Sequence, residues 1–231
     1  MRLNHIAAIP DGNRRYKEKH GLSFEQAYLK GFQKVEEVLS WAEKENVGEM
    51  SFWALSLENF SKRSTLEKKI IFKLMRKEAE EAIRSKKFIE KNVNVVFFGR
   101  LELLPSSLVE TLKKLEFQTA DKDGFRLNIG IAYSGKDEIV QAARSIALDL
   151  KNGRVSENDF NDETFRRYLY LPVSPDLIIR TGNVQRLSGF LQYQNAYSEL
   201  YFSPKLWPEF SREDFKDAVD FFYNTERRFG K

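Results

Sequence analysis

The segment Asp11-Gly12-Asn13-Arg14-Arg15-Tyr16 follows an apolar run from Ile6 to Pro10, and far downstream Glu199 stands in the aromatic frame Tyr197 to Phe202. An aspartate where a strand meets a loop can hold a hydrated divalent cation, while backbone N–H groups and arginines take phosphate oxygens. Read together, the two segments look like the ends of one diphosphate site. At the carboxyl end of a parallel strand such a loop opens onto the usual ligand crevice. Asp and Asn also favour ordinary helix-capping turns, so the motif alone leaves that blander reading open.

Composition narrows the chemistry further. The chain has 231 residues, 42% of them hydrophobic and 13% aromatic, enough for one domain, here 1–231, with a full core. It contains no cysteine, which excludes disulfides, zinc-thiolate sites and thiol nucleophiles. Its two histidines, His5 and His20, both lie near the start, so a Ser-His-Asp triad or a multi-histidine metal site would need improbable geometry. Oxygen ligands are what is left, and they suit magnesium and phosphates. The net charge of +4 is the small difference between 38 bases and 34 acids. No basic stripe interleaved with aromatics, helix-turn-helix punctuation or RNA-binding strand signature accompanies it, so no nucleic acid is expected as partner. No apolar stretch approaches the roughly 20 residues of a membrane span, and the N-terminus is no signal peptide. The expectation is a soluble, cytoplasmic protein.

Strand and helix patterns alternate along the chain, the rhythm of an α/β fold with a mostly parallel central sheet and flanking crossover helices. Strands are expected at Ile6–Pro10, Glu49–Ser56, Val93–Phe98, Phe125–Tyr133 and Asp176–Thr181. Helices are expected from Ser23, over Lys68–Lys91, Leu101–Ala120, Lys136–Leu150, Asp162–Tyr170 and Ser211–Thr225. The helix over Lys68–Lys91 sets Ile70, Ile71, Leu74, Met75 and Phe88 against a charged face. Those apolar residues serve equally as core or as one wall of an apolar tunnel.

Asp11-Gly-Asn, Ser56-Leu57-Glu58-Asn59-Phe60, Arg180-Thr-Gly with Arg186 and Ser188, Glu199, and a terminal Glu226-Arg-Arg-Phe-Gly230 occur in this order. In these motifs the chain resembles the cis-prenyltransferases, undecaprenyl diphosphate synthase and its relatives, over residues 5 to 230. The resemblance implies a Mg²⁺-dependent enzyme that extends an allylic prenyl diphosphate with isopentenyl diphosphate, forming Z double bonds above an apolar tunnel. It implies that Asp11 is catalytic and that Asp11 and Glu199 share the cation. Gly12, Asn13, Arg14, Arg15 and Tyr16 would cradle the allylic diphosphate, with Phe24 and Tyr28 on the same side. Asn59 inherits a part in removing the proton from the condensing carbon; an amide is a poor base, so it would orient water or a diphosphate oxygen. Ser56, Leu57, Glu58, Phe60 and Lys62 belong to the same substrate-binding segment, Glu58 organising a flexible loop and Lys62 standing where the family usually has arginine. Arg180, Arg186, Leu187 and Ser188 would bind isopentenyl diphosphate. Arg228 and Gly230 match a tail that reaches a neighbouring active site, implying a homodimer. A long product also implies transient contact with a membrane surface, so the protein would be cytoplasmic and peripheral to the membrane.

The match fails at particular positions. Arg14 replaces a small residue, Phe24 and Tyr28 replace the family's arginine and histidine, Tyr16 replaces tryptophan, and Asn183-Val184-Gln185 replaces a glycine-acidic-histidine stretch. Without two charge-assisted hydrogen bonds the grip on the leaving diphosphate would be weaker by ~3–6 kcal/mol. Arg14 can restore part of it. Two further readings therefore stand beside the chain synthase. One is a prenyltransferase that passes its allylic group to a different acceptor, a second allylic diphosphate or an alcohol. The other is a non-catalytic subunit of a heteromeric prenyltransferase, which the retained Asp11 argues against.

Overall fold

The computed structural model describes residues 2–226. Six strands, β1 (His5–Ile9), β2 (Glu49–Ser56), β3 (Val93–Phe98), β4 (Phe125–Tyr133), β5 (Leu177–Arg180) and β6 (Glu199–Phe202), form one sheet in the order β3-β4-β2-β1-β5-β6. Every pairing is parallel. Strand β1 sits between β2 on one side and β5 on the other, so the crevice beyond its carboxyl end is where the strand order reverses.

The reason β1 takes this place is legible in its residues. Ile6 and Ala8 join the larger core cluster, while Ala7 and Ile9 join a second one with Trp53, Tyr133, Ile178 and Phe190. A strand apolar on both faces is the mark of a central parallel strand covered on both sides.

The helices are α1 (Asn13–His20), α2 (Phe24–Lys44), α3 (Leu57–Lys62), α4 (Thr65–Ser85), α5 (Lys87–Glu90), α6 (Ser106–Thr119), α7 (Gly135–Lys151), α8 (Asp162–Arg166) and α9 (Arg212–Asn224). Helix α2 starts with a capping box, Ser23 accepting from the Gln26 N–H while the Gln26 side chain returns to the Ser23 N–H. Helix α4 ends where Lys86 turns left-handed at φ 55°, which splits the continuous helix expected over Lys68–Lys91 into α4 and α5. Pro105 likewise divides the stretch expected over Leu101–Ala120, leaving a 3₁₀ turn at Leu101–Leu103 and a helix from Ser106.

At the amino edge of the sheet lies a buried polar knot. His5 Nε2 lies 2.8 Å from Ser51 Oγ, and Asn128 Nδ2 donates to both Ser51 Oγ (3.0 Å) and Glu49 Oε1 (2.6 Å). Burial drives the His5 pKa below its ordinary value of 6.5, against the pull of Glu49.

Candidate active site

Asp11 emerges from β1 held on both sides by arginine. Its Oδ2 accepts from Arg180 Nη2 at 2.8 Å, and its Oδ1 accepts from Arg15 Nη2 at 3.1 Å. The neighbouring backbone is fixed as tightly: the Asp11 carbonyl accepts from Thr181 Oγ1 (2.8 Å) and from the Trp207 N–H (3.0 Å). Arg15 in turn donates to the Gly182 carbonyl at 2.6 Å. A side chain on Gly182, where φ is +88°, would come within 2.4 Å of Arg15 Nη2, so glycine is what lets these loops close on each other.

Arg180 reaches into the second loop. Its Nη1 donates to Ser188 Oγ at 3.0 Å and to the Arg186 carbonyl. That loop is anchored from below by Phe190, whose ring stacks on Trp53 with centroids 5.1 Å apart. A buried carboxylate pins the same region: Glu138 accepts from Tyr133 Oη (2.6 Å), Gln194 Nε2 (3.0 Å) and the Leu171 N–H (3.1 Å). Burial outweighs those donors and pushes the Glu138 carboxyl above its ordinary value.

These loops line a cavity of about 600 Å³. Asp11, Gly12, Asn13, Arg14, Arg15, Tyr28, Ser56, Glu58, Asn59, Lys62, Arg180, Arg186 and Ser188 all lie on its wall. Its floor is apolar, with Phe32, Val35, Ala54 and Met75 shared with a smaller chamber of about 100 Å³ that runs on past Phe97, Leu112 and Ile131. One charged mouth above one apolar channel suits a ligand with an anionic head and a hydrocarbon tail.

Glu199 and five other expected residues do not line this cavity. Tyr16 packs against His20 with ring centroids 4.3 Å apart and planes tilted by 41°, and Phe24 lies beside Tyr28 beneath Lys17. Phe60 packs on Phe72, Leu57 joins the larger core, and Leu187 packs against the cluster around Phe190. Ser56 caps α3, its Oγ accepting from the Asn59 N–H at 3.0 Å, so the segment expected as a flexible loop is a short helix with Glu58 and Asn59 exposed.

Glu199 does not line this cavity. It opens β6 opposite Leu177, whereas Phe202 is the residue opposite Arg180. Three residues of strand place Glu199 roughly 10 Å back from the edge where Asp11 sits. Among the described residues no three acids or histidines cluster as a metal site. Arg228 and Gly230 lie outside the described residues.

The structure also gathers residues that the sequence did not single out. Glu67, whose side chain is only 1% exposed, accepts from Tyr28 Oη at 2.6 Å and pairs with Arg63 Nε (3.4 Å) and Arg14 Nη2 (3.6 Å). Burial, helped by Glu67, pushes the Tyr28 hydroxyl pKa far above its ordinary value, so Tyr28 stays a neutral donor. Ser64 and Glu67 are spaced as in a capping box, and Ser64 does accept from the Glu67 N–H. The Glu67 side chain, however, turns inward to Tyr28. Gly31 is the other such position: a Cβ there would stand 2.4 Å from the Asn13 side chain, and its carbonyl accepts from Trp207 Nε1 at 2.9 Å.

A parallel sheet with a doubly arginine-lined switch point over an apolar channel makes an α/β protein suited to a ligand with a diphosphate head and a hydrocarbon tail. The prenyltransferase family model of undecaprenyl diphosphate synthases matches residues 9–230. A tritrans,polycis-undecaprenyl-diphosphate synthase (geranylgeranyl-diphosphate specific) of Thermoplasma acidophilum is 39% identical, over 100% of this chain and 90% of that protein. Its counterpart in Pyrococcus horikoshii is 40% identical, over 98% of this chain and 86% of its own. Among solved structures, lavandulyl diphosphate synthase from Lavandula x intermedia, in complex with dimethylallyl diphosphate, superposes with a TM-score of 0.92 at 29% identity, covering 99% of this chain and 98% of that one. A protein from Campylobacter jejuni described as a probable undecaprenyl diphosphate synthase gives 0.81 at 32% identity, covering 99% of both chains. The chain belongs to the undecaprenyl diphosphate synthase family of prenyltransferases.

Proposed function

We propose that this protein condenses isopentenyl diphosphate with an allylic prenyl diphosphate, building a Z-polyprenyl diphosphate, and that geranylgeranyl diphosphate is its preferred donor. The observation that carries this reading is Arg180, which joins the Asp11 loop to the Arg186 and Ser188 loop in one cavity above an apolar channel. The donor preference is supported by the Thermoplasma acidophilum and Pyrococcus horikoshii relatives, whose names specify that substrate.

The reaction breaks the allylic C–O bond, forms a bond from the allylic carbon to the terminal alkene carbon of isopentenyl diphosphate, and loses a proton from that unit. Negative charge gathers on the departing diphosphate, where fixed N–H and guanidinium donors stabilise it most. The Asp11 loop with Arg14 and Arg15 serves the allylic diphosphate; Arg180, Arg186 and Ser188 serve the isopentenyl one. Asn59 stands on the same wall and orients a proton-accepting oxygen.

Mg²⁺ fits this donor set, because it binds through one or two carboxylates plus substrate phosphates and keeps several waters. Asp11 is the carboxylate that would hold it, and the bound ion would neutralise charge on the leaving diphosphate. The protein would act as a homodimer, for which the exposed Leu200, Phe221 and Tyr223 speak (37%, 38% and 55% exposed). Among the described residues no helix is long and apolar enough to cross a membrane. Any membrane association would therefore be at the surface, as the greasy product emerges.

A second reading, transfer to an acceptor other than isopentenyl diphosphate, is favoured by one observation: apolar Phe24 and neutral Tyr28 stand where the family's charged pair is expected. Mass spectrometry separates the two readings. Purified protein is supplied with Mg²⁺, labelled isopentenyl diphosphate and dimethylallyl, geranyl, farnesyl or geranylgeranyl diphosphate in turn. A ladder rising by labelled five-carbon units supports the chain synthase, and prenyl products without label would replace it with the second reading.

A further inference from the structure

Arg63 is a largely buried cation on the wall of this cavity. Its side chain is 14% exposed, against 60% for Arg14, and its Nη1 is buried without a hydrogen-bond partner. Nε lies 3.4 Å from the Glu67 carboxylate, and the guanidinium lies over the Tyr28 ring at 5.4 Å. The side chain is therefore held by a buried acid and an aromatic face while one donor stays unused. A buried N–H of a charged group without an acceptor is costly, and an anion removes that cost.

The surrounding charge points the same way. Glu67 is a single carboxylate facing two guanidiniums, Arg63 and Arg14, and Tyr28 adds a neutral hydroxyl. The cluster keeps a net positive charge at the wall of the cavity that also holds Asp11 and Arg15. Lys62, one residue earlier, is exposed.

We propose that Arg63, set in place by Glu67 and Tyr28, binds the diphosphate of the allylic substrate and supplies a positive charge that Phe24 and Tyr28 do not carry. This assignment rests on the reading of the cavity as a diphosphate site. Arg63 is a substrate-binding residue, and Glu67 positions it.

The test compares wild type with Arg63→Gln and Arg63→Lys in steady-state kinetics, varying geranylgeranyl diphosphate and isopentenyl diphosphate separately with Mg²⁺ present. Removal of one charge-assisted hydrogen bond predicts that Arg63→Gln raises KM for the allylic substrate roughly 10-fold to 100-fold, with KM for isopentenyl diphosphate little moved. Arg63→Lys is expected to recover part of the loss. An unchanged allylic KM in Arg63→Gln, or a rise confined to isopentenyl diphosphate, overturns the assignment. Binding of inorganic pyrophosphate, followed by fluorescence of Trp53 and Trp207 on the cavity wall, supplies a readout independent of turnover. Weaker pyrophosphate binding in Arg63→Gln supports the role even if wild type fails to elongate, an outcome that would count only against the proposed reaction. Equal pyrophosphate binding in the two proteins refutes it. Arg63→Lys, which keeps a cation for Glu67, provides the same comparison should the glutamine variant not fold.

Discussion

Replacing Glu138 with alanine is expected to destabilise the fold and loosen the isopentenyl side of the site together. The carboxylate is 1% exposed and accepts three hydrogen bonds, from Tyr133, Gln194 and Leu171. Gln194 keeps a second acceptor, the Leu171 carbonyl at 2.8 Å. Two donors, the Tyr133 hydroxyl and the Leu171 N–H, are then stranded in the interior at about 1–3 kcal/mol each, or ~2–6 kcal/mol together. Native stability is typically about 5–15 kcal/mol, so the loss is a large fraction of the whole. At about 2–4 °C per kcal/mol for a chain of this size, the melting temperature should fall by roughly 4–24 °C. Urea denaturation followed by tryptophan fluorescence measures the free-energy loss and a thermal melt the shift in midpoint, and Trp53, stacked on Phe190, reports locally on the Arg186 to Leu191 loop. KM for isopentenyl diphosphate should rise in the same variant while the protein is still folded at low temperature. A stability loss below about 1 kcal/mol would show that the stranded donors find water or new partners, and the reasoning would fail.

Three other perturbations follow from the same geometry. Asp11→Asn keeps the shape but removes the charge that faces Arg180 and Arg15; initial-rate assays should show product formation lower by roughly 10²–10³-fold, as for removal of one preorganised electrostatic interaction. Ala54→Leu fills the junction between the large cavity and the smaller chamber, and mass spectrometry should show a product ladder that stops earlier than wild type. His5 has a folded pKa below 6.5, so the unfolded chain takes up the proton first as pH falls. Stability is then full above about pH 6.5 and declines below it by up to about 1.4 kcal/mol per pH unit. His5→Gln should flatten that decline in denaturation midpoints measured from pH 7 to 5.

Much of the sheet could be read from residue order. Strands β2, β3 and β4 occur where their apolar-rich segments lie, because a strand largely buried on both faces is written mostly in apolar residues, here broken only at positions such as Ser51, Asn94 and Asn128. Helix α1 was not expected, since Asn13–His20 has no buried residue and therefore no apolar stripe to betray it. Strand β6 was not expected either, because its four residues are too few to show alternation. In the site, Asp11, Arg180 and Ser188 meet as their motifs implied. Glu199 shows the limit of such reasoning. A motif gives residue types in order, whereas distance along a strand depends on pairing register, which Leu177 opposite Glu199 fixes and no local pattern records. Arg63 and Glu67 stayed hidden for a related reason: in a polar stretch at the start of α4, only tertiary packing decides which charges face inward.

The place of β1 in the sheet sets a timetable for folding. Its partner β2 follows within a few dozen residues, but β5 is contributed by Leu177–Arg180, and the Asp11 to Arg180 hydrogen bond closes a separation of 169 residues. At ~5–20 residues per second on the ribosome, β1 waits roughly 10–30 s with one edge unpaired and apolar residues on both faces. Long-range parallel pairings of this kind are slow and aggregation-exposed, so this interval is when a nascent chain most needs a chaperone. Activity should therefore appear late and all at once, because no fragment ending before β5 contains both halves of the diphosphate grip.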